Sequence, residues 1–321
     1  MTVFRRILLI QLRAIGDVIL TTPALRVLKR RFPEAQIDFL TNAAPAEVLQ
    51  NNPHLHEALI YPYSQKDAIG LLRYASHLRR KQYDVVIDFL GTPATALLTR
   101  FSGASVRLGY RLRFRRMAYT HYEIGYRGDI YNPLTKFSLL RPLGIHEEES
   151  APEIFVSAAA DQWAEEYFVQ AGLANQAVIA LAPQAKRLVR RWPAEGFATV
   201  ANWLQSQGHR VILIWAPGER DYVQAVADKI QPQPLLSPPT SLMQLAALLK
   251  RCRLLVCNCG GAKHVAVAVG TRTFTIQGPT DPRVWTPPND PRHRYIRDPS
   301  GLMEGVSAEQ VIHCLAQMSL I

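Results

Sequence analysis

The sequence is poor in cysteine and has no apolar run long enough to cross a membrane. Four cysteines occur in 321 residues, late in the chain and without the dense spacing of small disulfide-bonded secreted folds. They are Cys252, Cys257, Cys259 and Cys314. The longest apolar runs, such as 7–10 and 211–216, are strand-sized, whereas a membrane helix needs about 20 apolar residues. The sequence therefore predicts a soluble protein of a reducing cytoplasm.

We expect no targeting signal at the N-terminus. Arg5 and Arg6 precede an apolar stretch, as they would in a signal peptide, but Gln11, Arg13 and Asp17 interrupt it. No small-residue cleavage site follows. We interpret this stretch as the first buried strand.

Three common signatures of nucleotide binding are also missing. The chain has neither a G-x-G-x-x-G fingerprint nor a P-loop, which argues against a nicotinamide enzyme and against an ATPase. It has no D-x-D triplet, the simplest carboxylate pair for holding a nucleotide-bound divalent ion. Cys257 and Cys259 could form a metal site with His264, but alternate residues of a strand point to opposite faces. We therefore expect no metal and no cofactor.

The composition is that of a globular protein with two domains. Apolar residues make up 48% of the chain and charged residues 20%, and 321 residues exceed the usual length of one domain, about 100–200 residues. Short β-rich runs alternate with helix-period segments, the pattern of parallel βαβ units. The strand candidates are 7–12, 36–40, 58–61, 84–90, 106–109, 178–182, 210–215, 254–258 and 273–277.

An acidic run at 147–152, ending in proline, separates two similar halves. We predict domains at 1–152 and 153–321, each a doubly wound α/β unit, with an amphipathic C-terminal helix at 307–321. The first helix should begin near Asp17 and stop at Pro33, with Pro23 causing a kink or a displaced first turn.

The chain is strongly basic, with a net charge of +11, which implies an anionic partner or surface. Five arginines fall within ten residues that contain no acid. They are Arg107, Arg111, Arg113, Arg115 and Arg116. A phosphorylated glycolipid, an anionic membrane or a nucleic acid would suit this segment, and it could also be a merely solvated basic loop.

Two loops that follow strands are candidate sites, because ligands of open α/β sheets bind where strands lead into helices. In the first loop Gly16 permits a tight turn and Asp17 stands at the start of a helix, either as a functional carboxylate or as a helix N-cap. In the second, Gly260 and Gly261 can present backbone N–H groups to a phosphate, and His264 falls on the first helical turn, where a structural role is the alternative.

A basic segment could neutralise a leaving diphosphate without a metal, or could be a solvated basic loop. Its residues are Lys186, Arg187, Arg190 and Arg191, which follow the strand at 178–182.

Five segments, in order over nearly the whole chain, resemble the ADP-heptose:lipopolysaccharide heptosyltransferases. They are Leu12 to Asp17, Arg190 to Pro193, Gly218 with Glu219, Asn258 to Gly270, and Gln277 to Pro282. The resemblance implies a GT-B fold, in which two Rossmann-like domains face a cleft. It assigns the acceptor to the first domain and the ADP-sugar to the second.

The resemblance also implies roles for residues. Asp17 corresponds to the general base of an inverting displacement. The implied donor contacts are Arg190, Glu219, the loop around Thr240, Gly260, Gly261 and His264. We add Lys186, from the basic segment after the strand at 178–182, and Cys259, from the glycine loop, to the predicted donor site. The residues predicted for the acceptor or another anion are Arg13, Arg111, Arg113 and Arg115.

The chain departs from the family pattern twice, both times on the donor side. Asn258-Cys259-Gly260-Gly261 stands where the family commonly has Asn-Asp-Ser-Gly, and Arg190 replaces a lysine. Cys259 either occupies a donor site that has lost an acid or packs beneath the loop.

The sequence and the resemblance together predict a metal-independent, inverting glycosyltransferase. It would move heptose or a related sugar from an ADP-sugar to a lipopolysaccharide core or similar glycolipid. We expect it in the cytoplasm, in peripheral contact with the anionic inner face of the membrane, with no nucleic-acid partner. The alternatives are a sugar-nucleotide epimerase of the same fold and a non-catalytic protein that binds anions or nucleic acid.

Overall fold

The computed structural model describes residues 4–64, 67–124, 128–146 and 149–318. The chain divides into two compact units, Met1–Phe155 and Val156–Ile321. The division lies three residues after the boundary predicted at 152. The assignment of acceptor and donor to these units stays a prediction.

The first unit is a six-stranded parallel sheet with helices between its strands. Its strands are β1 (Arg6–Ile10), β2 (Gln36–Thr41), β3 (Glu57–Ile60), β4 (Val85–Asp88), β5 (Val106–Tyr110) and β6 (His121–Glu123). Its helices are α1 (Ile15–Ile19), α2 (Thr22–Arg31), α3 (Ala43–Ala46), α4 (Ala68–Arg80), α5 (Pro93–Phe101) and α6 (Asn132–Phe137). Short 3-10 segments add Glu47–Leu49, Arg116–Ala118 and Ser138–Leu143. The strand order is β3-β2-β1-β4-β5-β6, so the order reverses between β1 and β4.

The second unit repeats this architecture with a second six-stranded parallel sheet. Its strands are β7 (Val178–Ala182), β8 (Arg210–Leu213), β9 (Leu235–Leu236), β10 (Leu254–Asn258), β11 (Arg272–Gln277) and β12 (His293–Arg297). Its helices are α7 (Ala158–Gln170), α8 (Ala194–Ser206), α9 (Arg220–Ala227), α10 (Leu242–Arg251), α11 (Gly261–Ala268), α12 (Pro282–Trp285) and α13 (Ala308–Ala316). Short 3-10 segments lie at Leu188–Arg190 and Met303–Gly305. The order is β12-β11-β10-β7-β8-β9, which reverses between β7 and β10. The predicted α/β class with two Rossmann-like units is confirmed.

The central strands of both units are continuous apolar runs because helices cover both faces of a parallel sheet. Residues 7–10 of β1 and all of β7 are buried. The strands missed by sequence analysis are β6, β9 and β12. They lie at sheet edges and are short or polar, so periodicity does not reveal them.

The predicted first helix is two helices. It begins at Ile15, two residues before Asp17, and breaks after Ile19, so that Pro23 lies in the first turn of α2. Proline is tolerated there because the first turn of a helix needs no internal N–H donor. The displaced first turn expected at Pro23 is confirmed.

The C-terminal helix packs on the core of the second unit. Val311 and Leu315 are fully buried on α13, and Met318 follows it with 5% of its surface exposed. Residues 319–321 of the predicted helix lie outside the described part of the chain. Among the helices that the structure describes, none combines the length and the apolar character that a membrane span requires.

Candidate active site

Asp17 lies at the carboxyl edge of the first sheet, beside the point where the strand order reverses. Residues 11–14 lead from β1 into α1, whose N-cap is Ala14, so the alternative that Asp17 caps the helix is wrong. Asp17 stands in the first turn, where the helix dipole stabilises a carboxylate. The side chain is half-buried and has no hydrogen bond or ion pair with any described residue. Arg13, one turn earlier, is exposed.

A buried lysine accompanies this carboxylate, and sequence analysis missed it. Lys136 on α6 is 4% exposed, and its Nζ lies 5.9 Å from the centre of the Phe89 ring. Burial lowers the pKa of Lys136 to about 8, with Asp17 acting in the opposite direction and Arg13 in the same one. The available signal was a single charged residue in the segment 133–140.

The neighbouring strand end is fixed by a buried carboxylate with structural partners. Asp88, at the end of β4, accepts hydrogen bonds of 2.9 Å from the backbone N–H of Leu90 and of Gly91, and one of 2.8 Å from the Tyr119 hydroxyl. Burial raises the pKa of Asp88, and these donors oppose the shift. Asp88 therefore shapes the turn that places Phe89 beside Lys136.

The arginine-rich segment begins within β5, at Arg107, and continues into the loop at the same edge of the sheet. Its arginines fall into two groups. Arg107 donates to the backbone carbonyls of Ala118 and Ala104, and Arg115 donates to that of Gly91 at 2.6 Å, so both brace the loop. The exposed arginines are Arg111, Arg113 and Arg116. Arg115, predicted to face an anion, is half-buried and engaged with the backbone, which assigns it a bracing role in this structure.

The exposed arginines surround two apolar side chains. Phe114 is 79% exposed and Met117 80% exposed. Phe114 also has a positive φ of 64°, a strained conformation for a bulky residue. An open pocket of about 410 Å³ is lined by Arg111, Leu112, Arg113, Phe114, Arg116 and Met117.

In the second unit, one asparagine ties together the two loops at the reversal of strand order. Asn258, at the end of β10, donates to the carbonyl of Pro183 at 2.8 Å and accepts from the Trp192 N–H at 3.0 Å. Trp192 is 1% exposed and donates through its ring N–H to the Val306 carbonyl. The loop after β7 is thereby held against the loop after β10.

The loop after β10 exposes the amino end of α11. Gly260 is the N-cap, with an extended backbone and no side-chain cap, and Gly261 is the first helical residue. A Cβ on Gly261 would meet no atom within 4 Å, so this turn is open. The first N–H groups of a helix have no intrahelical acceptor and attract anions.

The side chains that follow these glycines are buried. Cys259 is 7% exposed, His264 6% and Lys263 0%. Burial, reinforced by Lys263, lowers the pKa of His264 to about 3, so the ring is neutral and packs 6.0 Å from that of Trp285. The structure thus favours the alternative that Cys259 packs beneath the loop.

Lys263 is a second buried lysine that sequence analysis did not single out. Its Nζ donates to the Thr286 hydroxyl at 2.8 Å, and burial lowers its pKa, an effect that Cys259 and Cys257 oppose.

The other predicted donor residues lie on neighbouring strand ends of this sheet. Lys186 is exposed and Arg190 half-buried in the loop after β7. Glu219 follows β8 and accepts from the Ala216 N–H at 3.0 Å; burial raises the pKa of Glu219, whereas this bond and Arg191 lower it. Thr240 follows β9 and is half-buried. The second sheet therefore brings all the predicted donor residues to one edge.

One cluster of possible metal ligands lies at the opposite edge of the first sheet. Asp38, His56 and Glu57 place ligand atoms within 4.8 Å of one another, at the start of β3. The Asp38 carboxylate is already bonded to the Tyr83 hydroxyl at 2.6 Å and to His56 at 2.9 Å. Glu57 accepts from Lys81 at 2.6 Å. Protein partners therefore already engage the candidate ligand atoms in a structural network, which lies away from the loop that holds Asp17.

Comparison with known proteins decides the family. Residues 71–314 match the sequence model of glycosyltransferase family 9 (heptosyltransferase). The chain belongs to this family. The predicted resemblance and enzyme class are confirmed: the protein is a family 9 glycosyltransferase, which sets aside the epimerase and the non-catalytic binding protein.

Relatives of this family 9 glycosyltransferase span nearly its whole length. Lipopolysaccharide heptosyltransferase 3 of Escherichia coli is 26% identical over 287 residues, covering 85% of this chain and 83% of that protein. The crystal structure of a family 9 glycosyl transferase from Veillonella parvula has a TM-score of 0.89 at 24% identity, covering 98% and 97% of the two chains. The E. coli ADP-heptose lipopolysaccharide heptosyltransferase II has a TM-score of 0.81 at 22% identity, covering 98% of each chain.

Proposed function

We propose that this protein transfers heptose, or a related sugar, from an ADP-sugar to a hydroxyl of a lipopolysaccharide core or similar glycolipid. The observation that carries the proposal is Asp17, a half-buried carboxylate without a protein partner among the described residues, at the reversal of strand order in the first sheet. Asp17 takes the proton of the acceptor hydroxyl, whose oxygen attacks the anomeric carbon as the nucleotide diphosphate leaves. A single displacement of this kind inverts the anomeric centre.

The second unit supplies the donor site. Backbone N–H groups at Gly260 and Gly261 receive the diphosphate at the amino end of α11. Lys186 and Arg190 neutralise the charge that develops on the leaving diphosphate, a role that a divalent ion would otherwise take. Glu219 and Thr240, on the next two strand ends, face the nucleoside. The E. coli relative named for ADP-heptose supports the choice of nucleotide.

The acceptor is brought from an anionic membrane surface by the segment after β5. Arg111, Arg113 and Arg116 provide positive charge, and Phe114 and Met117 provide exposed apolar surface for the headgroup region. We assign this anionic surface to the inner face of the cytoplasmic membrane. Nucleic acid is not a partner, because exposed apolar tips between the arginines suit a bilayer better than a phosphate backbone.

The nucleotide is tested by thermal unfolding with ADP-, UDP-, GDP- and CMP-sugars. A ligand at 100 times its dissociation constant adds about 2.7 kcal/mol of stability. The ADP-sugar should raise Tm most, with and without a chelator such as EDTA. A larger shift with another nucleotide, or a shift that EDTA abolishes, contradicts the ADP-sugar or the metal independence, respectively.

Gly261→Pro should weaken ADP-sugar binding by about tenfold, because it removes one N–H that donates to the diphosphate. Proline is accepted at the first position of a helix, and the preceding Gly260 has an extended backbone rather than the helical one that a following proline disfavours. Gly261→Ala is the matched control, since it keeps the N–H and its Cβ meets open space. Equal affinities of the two variants, measured by calorimetry, would show that this N–H does not bind the donor.

Replacing Phe114 and Met117 together by Ser should reduce partition onto phosphatidylglycerol vesicles by about tenfold or more, since burying each apolar side chain contributes about 1.5–3 kcal/mol when complete. Sedimentation with vesicles measures this. Val169→Ser, at an apolar site 63% exposed on α7, is the control. Unchanged sedimentation of the double variant, or tighter binding of the wild type to duplex DNA than to vesicles, contradicts the assignment.

A further inference from the structure

Lys136 is a buried cation without a protein partner. It is 4% exposed, and its Nζ makes no hydrogen bond or ion pair with any residue in the described ranges. The Nζ atom lies 5.9 Å from the centre of the Phe89 ring. An unpaired ammonium on so buried a side chain is unfavourable, so a ligand group that pairs with it would stabilise the charged form.

The charged groups that act on Lys136 are those of the proposed catalytic centre. Asp17 raises its pKa and Arg13 lowers it. Lys136 packs against Phe89, whose backbone N–H donates to the Ile10 carbonyl at 3.1 Å. Lys136 therefore lies at the end of β1, where the loop that holds Arg13 and Asp17 begins. Within the described residues, Lys136 and Asp17 do not form an ion pair.

The same face of α6 carries a second unsatisfied polar atom. Asn132 lies one turn before Lys136, and residues four apart share a helix face. The Asn132 Oδ1 atom is buried and accepts no hydrogen bond from the described part of the chain. An acceptor oxygen at Asn132 and a cation at Lys136 together match a ligand that carries both a hydroxyl and a negative charge.

We propose that Lys136 and Asn132 form, with Arg13, a subsite for an anionic group of the acceptor, a carboxylate or a phosphate, that flanks the hydroxyl activated by Asp17. The inference rests on the proposed function and names the chemistry of its acceptor. Lys136 and Arg13 form no ion pair with an acid in the part of the chain that the structure describes, which gives the subsite its preference for an anion. The anion completes the contacts of Lys136 and holds the neighbouring hydroxyl against Asp17.

The test compares Lys136→Met with Lys136→Arg. Methionine keeps the apolar stem against Phe89 and removes the charge, whereas arginine keeps the charge. A charge-assisted hydrogen bond contributes about 1.5–3 kcal/mol, which corresponds to a rise of roughly 10–150-fold in the dissociation constant of a heptose-deficient lipopolysaccharide-core oligosaccharide for Lys136→Met. Lys136→Arg should stay within about threefold of the wild type.

Two further forms of the probe identify the anion. Esterifying the carboxylates or removing the phosphates of the oligosaccharide should weaken binding to the wild type but not to Lys136→Met, and the form that does so names the group. Lys136→Met should also keep its Tm, because replacing a buried unpaired charge by an apolar side chain does not weaken a core.

The outcomes separate this inference from the proposed function. If Lys136→Met loses the same affinity for the charged and the neutralised oligosaccharide, Lys136 has a structural role and the subsite is overturned. The same conclusion follows if Lys136→Met has a lowered Tm and an unchanged affinity for the acceptor. Calorimetry measures binding without turnover, so the subsite is tested even if no nucleotide sugar is used. If the wild type binds the charged oligosaccharide more tightly than the neutralised one and Lys136→Met does not, but the wild type transfers no sugar, the subsite stands and the proposed reaction is overturned.

Discussion

Asp17→Asn is expected to lower kcat for sugar transfer by about 10²–10⁴, the usual contribution of a general base. The amide keeps the size of the carboxylate but cannot accept the proton of the acceptor hydroxyl. Asp17 makes no hydrogen bond through its side chain within the described residues, so the change removes chemistry rather than a structural contact. Rates at saturating donor and acceptor measure the loss, and calorimetry with the ADP-sugar should give an unchanged dissociation constant.

Asp161→Asn is the control for the substitution itself, because Asp161 is also half-buried in the first turn of a helix, α7, and lies outside the proposed sites. Unlike Asp17 it forms ion pairs, with Lys250 and Arg251, so the control is the more disruptive of the two changes to local structure. It should transfer sugar at the wild-type rate. If Asp17→Asn retains a rate within about threefold of the wild type, the proton leaves by another route and Asp17 is not the base.

Cys259→Asp should destabilise the fold strongly only when Lys263 is absent. Cys259 is 7% exposed, so an aspartate there is removed from water. The neighbouring Lys263 ammonium can pair with that carboxylate. Breaking such a buried pair costs about 3–5 kcal/mol, and we expect this cost for Cys259→Asp in a Lys263→Met background, against roughly 1 kcal/mol or less with Lys263 present.

Urea denaturation of the single and double variants measures this coupling. Cys252→Asp supplies the control, since Cys252 is 6% exposed and burial alone raises the pKa of its thiol to about 12. Its cost should be the same with or without Lys263→Met. Equal costs for Cys259→Asp in both backgrounds would show that Lys263 does not compensate charge at this position, and no cost in either would place Cys259 at the surface.

The central fold could be predicted because its signals are local. In a chain of alternating strands and helices, short continuous apolar runs such as those of β7 and β10 predict the buried central strands of a parallel sheet. The edge strands β6, β9 and β12 are stabilised by pairing with a neighbour rather than by their own apolar pattern, so sequence periodicity does not mark them.

The candidate sites could be predicted only where they lie on loops after strands. Asp17, Gly260 and Gly261 follow strands, and topology places such loops at the ligand-binding edge. Lys136 could not be found in this way, because it belongs to a short helix far along the chain and reaches the end of β1 only through its packing on Phe89. The bracing role of Arg115 likewise depends on the Gly91 carbonyl, 24 residues away.

The most direct test of the account is transfer from ADP-heptose to a heptose-deficient lipopolysaccharide core, followed by mass spectrometry and by NMR of the new anomeric centre. The account predicts that the acceptor gains one heptose for each ADP released, only when both substrates are present, and that the new linkage has the inverted configuration. The account would be contradicted if the enzyme converted ADP-heptose in the absence of acceptor, if the new linkage kept the anomeric configuration of the donor, or if no core acceptor gained heptose.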